Sequence, residues 1–396
     1  MAWGGGVPFG WNSWGKIQTA ITHDKAVAVS DYVHSALTPA GFANGGAVYI
    51  NLDSYWDNLT PAQLQDFVAH VHANGQKAGT YWTPWVDWGK QASRIVEGTT
   101  ATTYDQTWLH DKNGSPITLD GAYAVDPTHP AIKARVDYFI DEFKAWGFDY
   151  VKLDFLTHGA LESTVRADPT VTTGIAAYNQ GMQYLVNRVG GSMFLSESIA
   201  PLFPYQYAHA RRVSCDTFGA ATGNNASAEY EMNSAGYGWW MNAKLYTFND
   251  PDLLVFQGFT AADNRVRLAS GVVSGTLMLD GDDLSSPDGQ SAALANLMNP
   301  RLNAVARIGK AFRPLEAQSG ASATDVLTMD NAGVHYIAAF NYSGSAAVKV
   351  VDLSRAGLNP QQTYSVVDLE TGTQSTATGN LSISLQGTDA KVVALQ

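Results

Sequence analysis

The stretch Trp146-Gly147-Phe148-Asp149-Tyr150-Val151-Lys152-Leu153-Asp154-Phe155 follows a run from about Ala131 to Trp146 whose apolar residues recur at helical spacing. Gly147 is the residue expected just past a helix end, because only glycine takes the left-handed conformation there at no steric cost. The apolar burst Tyr150-Val151-Lys152-Leu153 then reads as a buried strand, and Asp154 stands at its end. Helix, glycine stop, strand and terminal acid describe one unit of a barrel whose strand carboxyl ends present side chains to solvent. Taken alone, Asp154 is equally well explained as the cap of a following helix.

Working outward, the same rhythm recurs. Val7 to Trp14 contains a short strand and a turn, and His23 to Leu37 is a helix with Ala26, Val29, Val33 and Leu37 on one face. Ala47 to Asp53 is a second strand ending on an acid, and a helix starts at Pro61 behind Thr60 and stops at Gly75. Lys77 to Trp82 is a third strand and the quoted stretch supplies the fourth. Met193 to Glu197, Arg212 to Asp216, Lys244 to Phe248 and Gly275 to Asp280 supply four more, with helices over Thr172 to Val189 and Asp263 to Val273. Strands alternating with helices imply parallel pairing, so the expected fold is α/β, a closed (β/α)8 TIM barrel over residues 1–305. Asp53, Asp154, Glu197, Asp216, Asp252 and Asp280 all fall at or just past strand ends. Such acids predict one carboxylate-rich pocket, since strand ends converge on one face of a barrel. The long Gly- and Thr-rich segment Thr83 to His129, with Trp85, Trp88, Trp108 and Tyr123, is expected on that face. Over residues 306–396 short alternating runs separated by turn residues predict a C-terminal antiparallel β-sandwich domain with a structural role.

Composition narrows the chemistry. Charged residues are only 15% of the 396 and the net charge is −12, so nothing resembles a nucleic-acid footprint or an anionic-lipid patch. No run of about 18 apolar residues exists, and no membrane span is expected. The single cysteine, Cys215, excludes an internal disulfide and a Cys-rich zinc site. Abundant Thr, Ser, Gly and Ala with sparse Lys suggest an exported bacterial protein, secreted or periplasmic, although the start, Met1 to Gly6, is not a signal peptide. Eleven Trp and eighteen Tyr exceed what a core requires and suit stacking on flat ligand faces such as sugar rings.

Several acids without clustered His or Cys fit either Mg²⁺ binding or glycoside hydrolysis. The aromatic surplus and the lack of a phosphate-cradling glycine loop favour sugar chemistry, with no cofactor and no metal. Hydrolysis of a sugar acetal needs two carboxyl groups, one to protonate the leaving oxygen and one to attack carbon or activate water. Lys152 shares a strand face with Asp154 and favours its ionised form; Arg212 stands likewise toward Asp216.

Five motifs, Gly10-Trp11-Asn12-Ser13-Trp14, Tyr49-Ile50-Asn51-Leu52-Asp53, Tyr150 to Asp154, Arg212 to Asp216 and Asn249-Asp250-Pro251-Asp252, resemble in order those of the melibiase-type α-galactosidases and α-N-acetylgalactosaminidases, glycoside hydrolase family 27 of clan D, related to family 36. The resemblance runs from Pro8 to about Leu284. It implies a retaining, exo-acting hydrolase of terminal α-linked galactose, with Asp154 as nucleophile and Asp216 as general acid/base. It places Trp14, Asp53, Ser54, Tyr81, Trp82, Lys152, Glu197, Arg212 and Asp252 around the terminal sugar of an oligosaccharide or glycoconjugate. The sequence departs from the family in two places. Ser54 stands where a second adjacent acid usually holds a sugar hydroxyl, with Asp57 as a candidate substitute, and Phe155 to His158 replaces a segment that often carries cysteine. Glu197 speaks for a free 2-hydroxyl and Ala200 mildly for extra room. Other terminal sugars (α-N-acetylgalactosamine, β-L-arabinopyranose, an α-glucoside) stay open, as does a sugar-binding barrel without catalysis. Nothing in the sequence sets an oligomeric state.

Overall fold

The helix behind the quoted stretch, α3, spans Pro130–Trp146. Proline at its first turn suits a position whose N–H has no helical partner, and the His129 side chain accepts from the Ala131 N–H. Gly147, at φ 89°, ends it. The buried side of α3 carries Ile132, Val136, Ile140 and Phe143. The structure is a computed structural model that describes residues 1–275, 277–315 and 323–396; Thr276, inside the eighth expected strand, lies outside them.

Among the described residues eight parallel strands form the barrel wall: β1 (Phe9–Asn12), β2 (Val48–Asn51), β3 (Lys77–Trp82), β4 (Tyr150–Leu153), β5 (Phe194–Glu197), β6 (Ala210–Arg212), β7 (Phe248–Asp250) and β8 (Met278–Asp280). Their order is β7-β6-β5-β4-β3-β2-β1-β8. Between β7 and β8 the wall is joined by the Asn249 N–H on the Gly275 carbonyl (3.1 Å) and by the Leu254–Asp280 bridge. Outside lie α1 (His23–Tyr32), α2 (Pro61–Ala73), α3, α4 (Gly174–Val189), α5 (Ala228–Gly238), α6 (Ala261–Val273), α7 (Pro287–Leu297) and α8 (Pro300–Ile308). The helix expected to run on to Leu37 ends at Tyr32 and continues as a π-helical turn. Two strands shift from their expected places. The sixth ends at Arg212, so Asp216 stands on the loop beyond it. The seventh begins at Phe248 rather than Lys244, because Asn242 turns inward and its amide donates to the carbonyls of Thr247, Gly275 and Gly309.

Period-2 alternation sorts each strand into an inward and an outward set. Tyr49, Tyr150, Phe194 and Phe248 make an aromatic floor inside the barrel, with Tyr150 stacked on Phe194 at 5.2 Å. One layer nearer the carboxyl ends stand Asn51, Lys152, Ser196, Arg212 and Asp250, and Ser196 donates to Asp250 at 3.0 Å. Position 79 must be glycine, since a Cβ there would come within 1.9 Å of the Asn51 side-chain oxygen.

Residues 83–129 are ordered around Asp87. They contain a small sheet of Val86–Asp87, Thr118–Leu119 and Ala122–Ala124. The fully buried Asp87 carboxylate accepts from Arg94 Nη2 at 2.8 Å, Trp108 Nε1 at 2.9 Å and the Gly89 N–H at 3.1 Å.

After α8 the chain forms one eight-stranded antiparallel sheet: β9 (Arg313–Pro314), β10 (Val326–Asn331), β11 (Val334–Asn341), β12 (Ala347–Asp352), β13 (Thr363–Asp368), β14 (Gln374–Thr378), β15 (Asn380–Leu385) and β16 (Asp389–Leu395). Its order is β9-β10-β11-β16-β13-β14-β15-β12. It folds over a core of its own in which Ile337, Val393 and Leu395 meet Val351, Leu381 and Ile383. β14, Gln-Ser-Thr-Ala-Thr, escapes the hydrophobic pattern because only Ala377 points inward. Arg265 of α6 pairs with Asp389 across the two sheets' helical seam at 2.8 Å.

Candidate active site

The top of the barrel opens into a cavity of about 690 Å³ lined by Trp14, Asp53, Ser54, Tyr81, Lys152, Asp154 and Asp216, together with Tyr55, Asp57, Asn58, Trp88, Phe155 and Ile199. Asp154 ends β4. Its amide donates to the Trp82 carbonyl, which continues the β3–β4 ladder, and its carboxylate accepts from the Phe155 N–H at 2.8 Å. Lys152 Nζ lies 3.0 Å from Asp53 Oδ2 and 3.9 Å from Asp154 Oδ2. Burial works against the ammonium, yet Asp53 and Asp154 outweigh it and hold the lysine pKa above its usual value. Asp53 also accepts from the Asn12 amide and the Ser54 N–H, both at 2.8 Å, while Ser13 Oγ receives its N–H. These bonds orient one carboxylate into the cavity and account for Asn12 and Ser13 at the end of β1.

A second network holds the other acid. Arg212 forks to Asp216 Oδ1 (Nη1 3.1 Å, Nη2 3.0 Å) and reaches Asp252 Oδ2 at 2.7 Å. Burial opposes the guanidinium charge, but Asp252, Asp250, Asp216 and Asp154 together raise its pKa further. Asp252 is buried and also accepts from the Thr217 N–H at 2.7 Å; burial pushes its carboxyl up to about 6, against the pull of Arg212 and Lys152. Asp216 is different, since 62% of its side chain is exposed at the cavity mouth. Tyr81 stays a neutral phenol, its pKa raised by burial and then by Asp154 and Asp53. Trp14 runs parallel to Tyr55 at 6.2 Å and an interplanar angle of 8°.

Three sequence expectations fall away. Glu197, expected against the sugar, points out of the barrel. It pairs in register with Leu153, whereas Ser196, level with Lys152, takes the inward place. Fully buried behind the wall, among Tyr178, Tyr246 and Arg211, its carboxyl is pushed by burial up to about 8. Trp82 likewise faces away, packing on Phe139 and Phe143 of α3 and under Arg135. Asp280 pairs in register with the outward Trp11 and sits against Asp282, fully buried, with its pKa raised by burial and by that second acid. The strand-end acids therefore do not form one set: Asp53, Asp154, Asp216 and Asp252 face the cavity networks, and Glu197 and Asp280 face the helices. Strand parity decides between them, and a one-residue difference in where a strand ends reverses it.

Ala200 is buried and absent from the lining; its carbonyl accepts from Arg211. His158 is a buried tie, with its ring between the Phe155 and Leu119 carbonyls. Asp57, the candidate substitute for the missing acid, does line the cavity. Tyr55 and Ile199 are lining residues that sequence reasoning missed; Trp88 was legible only as part of an aromatic-rich loop. Among the described residues no group of three His, Cys, Asp or Glu is placed to hold a metal ion, and no helix is long and apolar enough to cross a membrane.

A (β/α)8 barrel with a folded antiparallel sheet behind it is the fold that this chain shares with solved glycoside hydrolases of family 27. Among solved structures it is similar to a family 27 β-L-arabinopyranosidase from Geobacillus stearothermophilus, solved with arabinose (18% identity, 100% of this chain and 98% of that one, TM-score 0.75). It is similar also to α-galactosidase I from Mortierella vinacea (14%, 99% and 97%, 0.69) and to an isomalto-dextranase from Arthrobacter globiformis T6 (14%, 99% and 72%, 0.71). No protein-family model matches the chain, and no curated protein matches it in sequence.

Proposed function

We propose that this chain is a retaining exo-glycosidase that removes a terminal galactose-configured pyranose, with Asp154 as nucleophile and Asp216 as general acid/base. The observation that carries the reading is the unequal setting of two acids on one cavity. Asp154 is enclosed, with Lys152 near its carboxylate and the Phe155 N–H on it. Asp216 stands at the open mouth, where a leaving group departs and water arrives. In the first step Asp154 attacks the anomeric carbon while Asp216 gives its proton to the departing oxygen. In the second Asp216 takes a proton from water, which displaces the carboxylate and regenerates both groups. Arg212 forks onto Asp216 Oδ1 and so orients the carboxyl group at the mouth. Asp53, fixed by Lys152 and Asn12, is the charged acceptor for a ring hydroxyl.

The test uses Asp154→Ala and Asp154→Asn with an activated aryl glycoside. Both variants should lose at least about a thousandfold in kcat, as expected when a nucleophile is removed. Azide should then rescue the alanine variant and yield a glycosyl azide of inverted configuration. Undiminished turnover in Asp154→Asn, or a wild-type first product of inverted configuration by NMR, rejects the proposal.

One observation favours a second sugar. Ser54 has no charge, and its backbone N–H is turned onto Asp53, so the neighbouring position lacks the second carboxylate that would hold an exocyclic hydroxyl. A pentopyranose of the same ring configuration, β-L-arabinopyranose, has no such hydroxyl to satisfy. Comparing kcat/KM for aryl α-galactoside and aryl β-L-arabinopyranoside separates the two.

A further inference from the structure

We propose that the aglycone half of this cavity selects a flat apolar, aromatic leaving group rather than a second sugar, through an arc of Trp88, Phe155 and Ile199; this rests on the glycosidase reading above. The three residues follow β3, β4 and β5, so they stand side by side along one flank of the mouth, beside Asp154. Trp88 and Ile199 are 45% and 43% exposed, which for apolar side chains bordering a cavity marks a surface awaiting a partner. Trp88 meets Phe155 edge-on, centroids 4.9 Å apart at 85°, which leaves ring faces open for stacking.

The backbone is committed to this display. Phe155 and Ile199 have φ 53° and 45°, a region that a β-branched residue such as Ile199 rarely enters. Thr157 holds the Ile199 carbonyl from both its N–H (2.8 Å) and its hydroxyl (2.7 Å). Such conformations persist where the surroundings over-determine them, and they cluster at ligand sites.

Four polar groups along the arc already have partners. The Trp88 indole N–H donates to Thr83 Oγ1 at 3.1 Å. The Phe155 N–H is on Asp154, its carbonyl accepts from His158, and the Ile199 carbonyl belongs to Thr157. A sugar stacked on these side chains would surrender hydration of its hydroxyls for few new bonds, which is costly, whereas an aromatic ring would surrender little.

The experiment measures competitive inhibition constants of uncleaved methyl and phenyl 1-thio-α-D-galactopyranosides, the matching β-L-arabinopyranosides, and an S-linked disaccharide with the same terminal sugar. These remove leaving-group chemistry from the comparison. The phenyl compound should bind about tenfold more tightly than the methyl one, the scale of one aromatic contact plus buried ring area. Trp88→Ala and Ile199→Gly should each reduce that ratio severalfold while leaving the inhibition constant of the methyl compound unchanged, which shows that the sugar pocket stays folded. Equal binding of phenyl and methyl compounds, or tighter binding of the disaccharide than of the phenyl compound, overturns the inference while leaving the glycosidase reading intact. Failure of every glycoside both to bind and to turn over overturns both.

Discussion

Lys152 is the charge on which the inner half of the site depends. It is nearly buried, 3.0 Å from Asp53 and 3.9 Å from Asp154, and its ammonium lies over the Tyr81 ring, 5.4 Å from the centroid. Replacing it with methionine keeps the volume and removes the charge, leaving two carboxylates facing each other without a cation. Breaking a buried pair in this way costs about 3 kcal/mol or more. Chemical denaturation of Lys152→Met should show that loss, and the double variant Lys152→Met/Asp53→Asn should recover part of it. If Lys152→Met is as stable as the parent, the pair carries no such weight. Asp216 lies at the opposite extreme, largely solvated, and its replacement by asparagine should leave stability nearly unchanged while removing activity toward poor leaving groups.

At the level of elements, the segment from Thr83 to His129 behaves as a small folded unit pinned by one acid rather than as a loose loop. Asp87 takes bonds from Arg94, Trp108 and Gly89, and the next residue is Trp88 at the cavity. Asp87→Ala leaves the partly buried Trp108 and Arg94 donors without this acceptor, a cost of about 1–2 kcal/mol. It should also loosen Trp88, so KM for aryl glycosides should rise more than kcat falls. A purely stabilising role for Asp87 would show as a lower Tm with KM unchanged. That this segment belongs to the active face could be read from its length and aromatic content. That it hangs on Asp87 could not, because the bonds reach across 7 and 21 residues with no periodicity to mark them.

For the molecule as a whole, the buried titratable groups predict how stability follows pH. Glu197 binds its proton up to about pH 8 in the folded chain, against 4.5 for an ordinary glutamate, because burial penalises the carboxylate. Between those values the native state holds a proton that the unfolded chain has released, so stability falls as pH rises. His209 acts in the opposite sense at lower pH: burial lowers its pKa from 6.5 to about 4, so stability falls as pH drops through that range. The interval from 6.5 to 8 is free of the histidine effect, and there Glu197 should account for a loss of about 1.5 kcal/mol. Urea unfolding at both pH values should show the decline in the parent chain and a flatter response in Glu197→Gln. An unchanged slope in that variant would rule out Glu197 as the source.

What the sequence determined by itself was the alternation of helix and strand and the ends of most strands, the sixth and seventh excepted, since these rest on local periodicity and on glycine and proline chemistry. The unit from Pro130 to Asp154 was legible almost residue by residue, whereas Arg212 and Asp216, expected on one strand face, pair through the loop beyond β6. Tertiary structure alone decided which strand-end side chains share a cavity. Glu197 and Asp154 look alike in the sequence, each an acid closing an apolar run, but Glu197 is the last residue of its strand and Asp154 the first beyond. That one-residue difference turns Asp154 into the cavity with Lys152 and sends Glu197 behind the wall. Ile199, unremarkable in sequence, reaches the cavity only because a left-handed turn and two bonds from Thr157 hold it there.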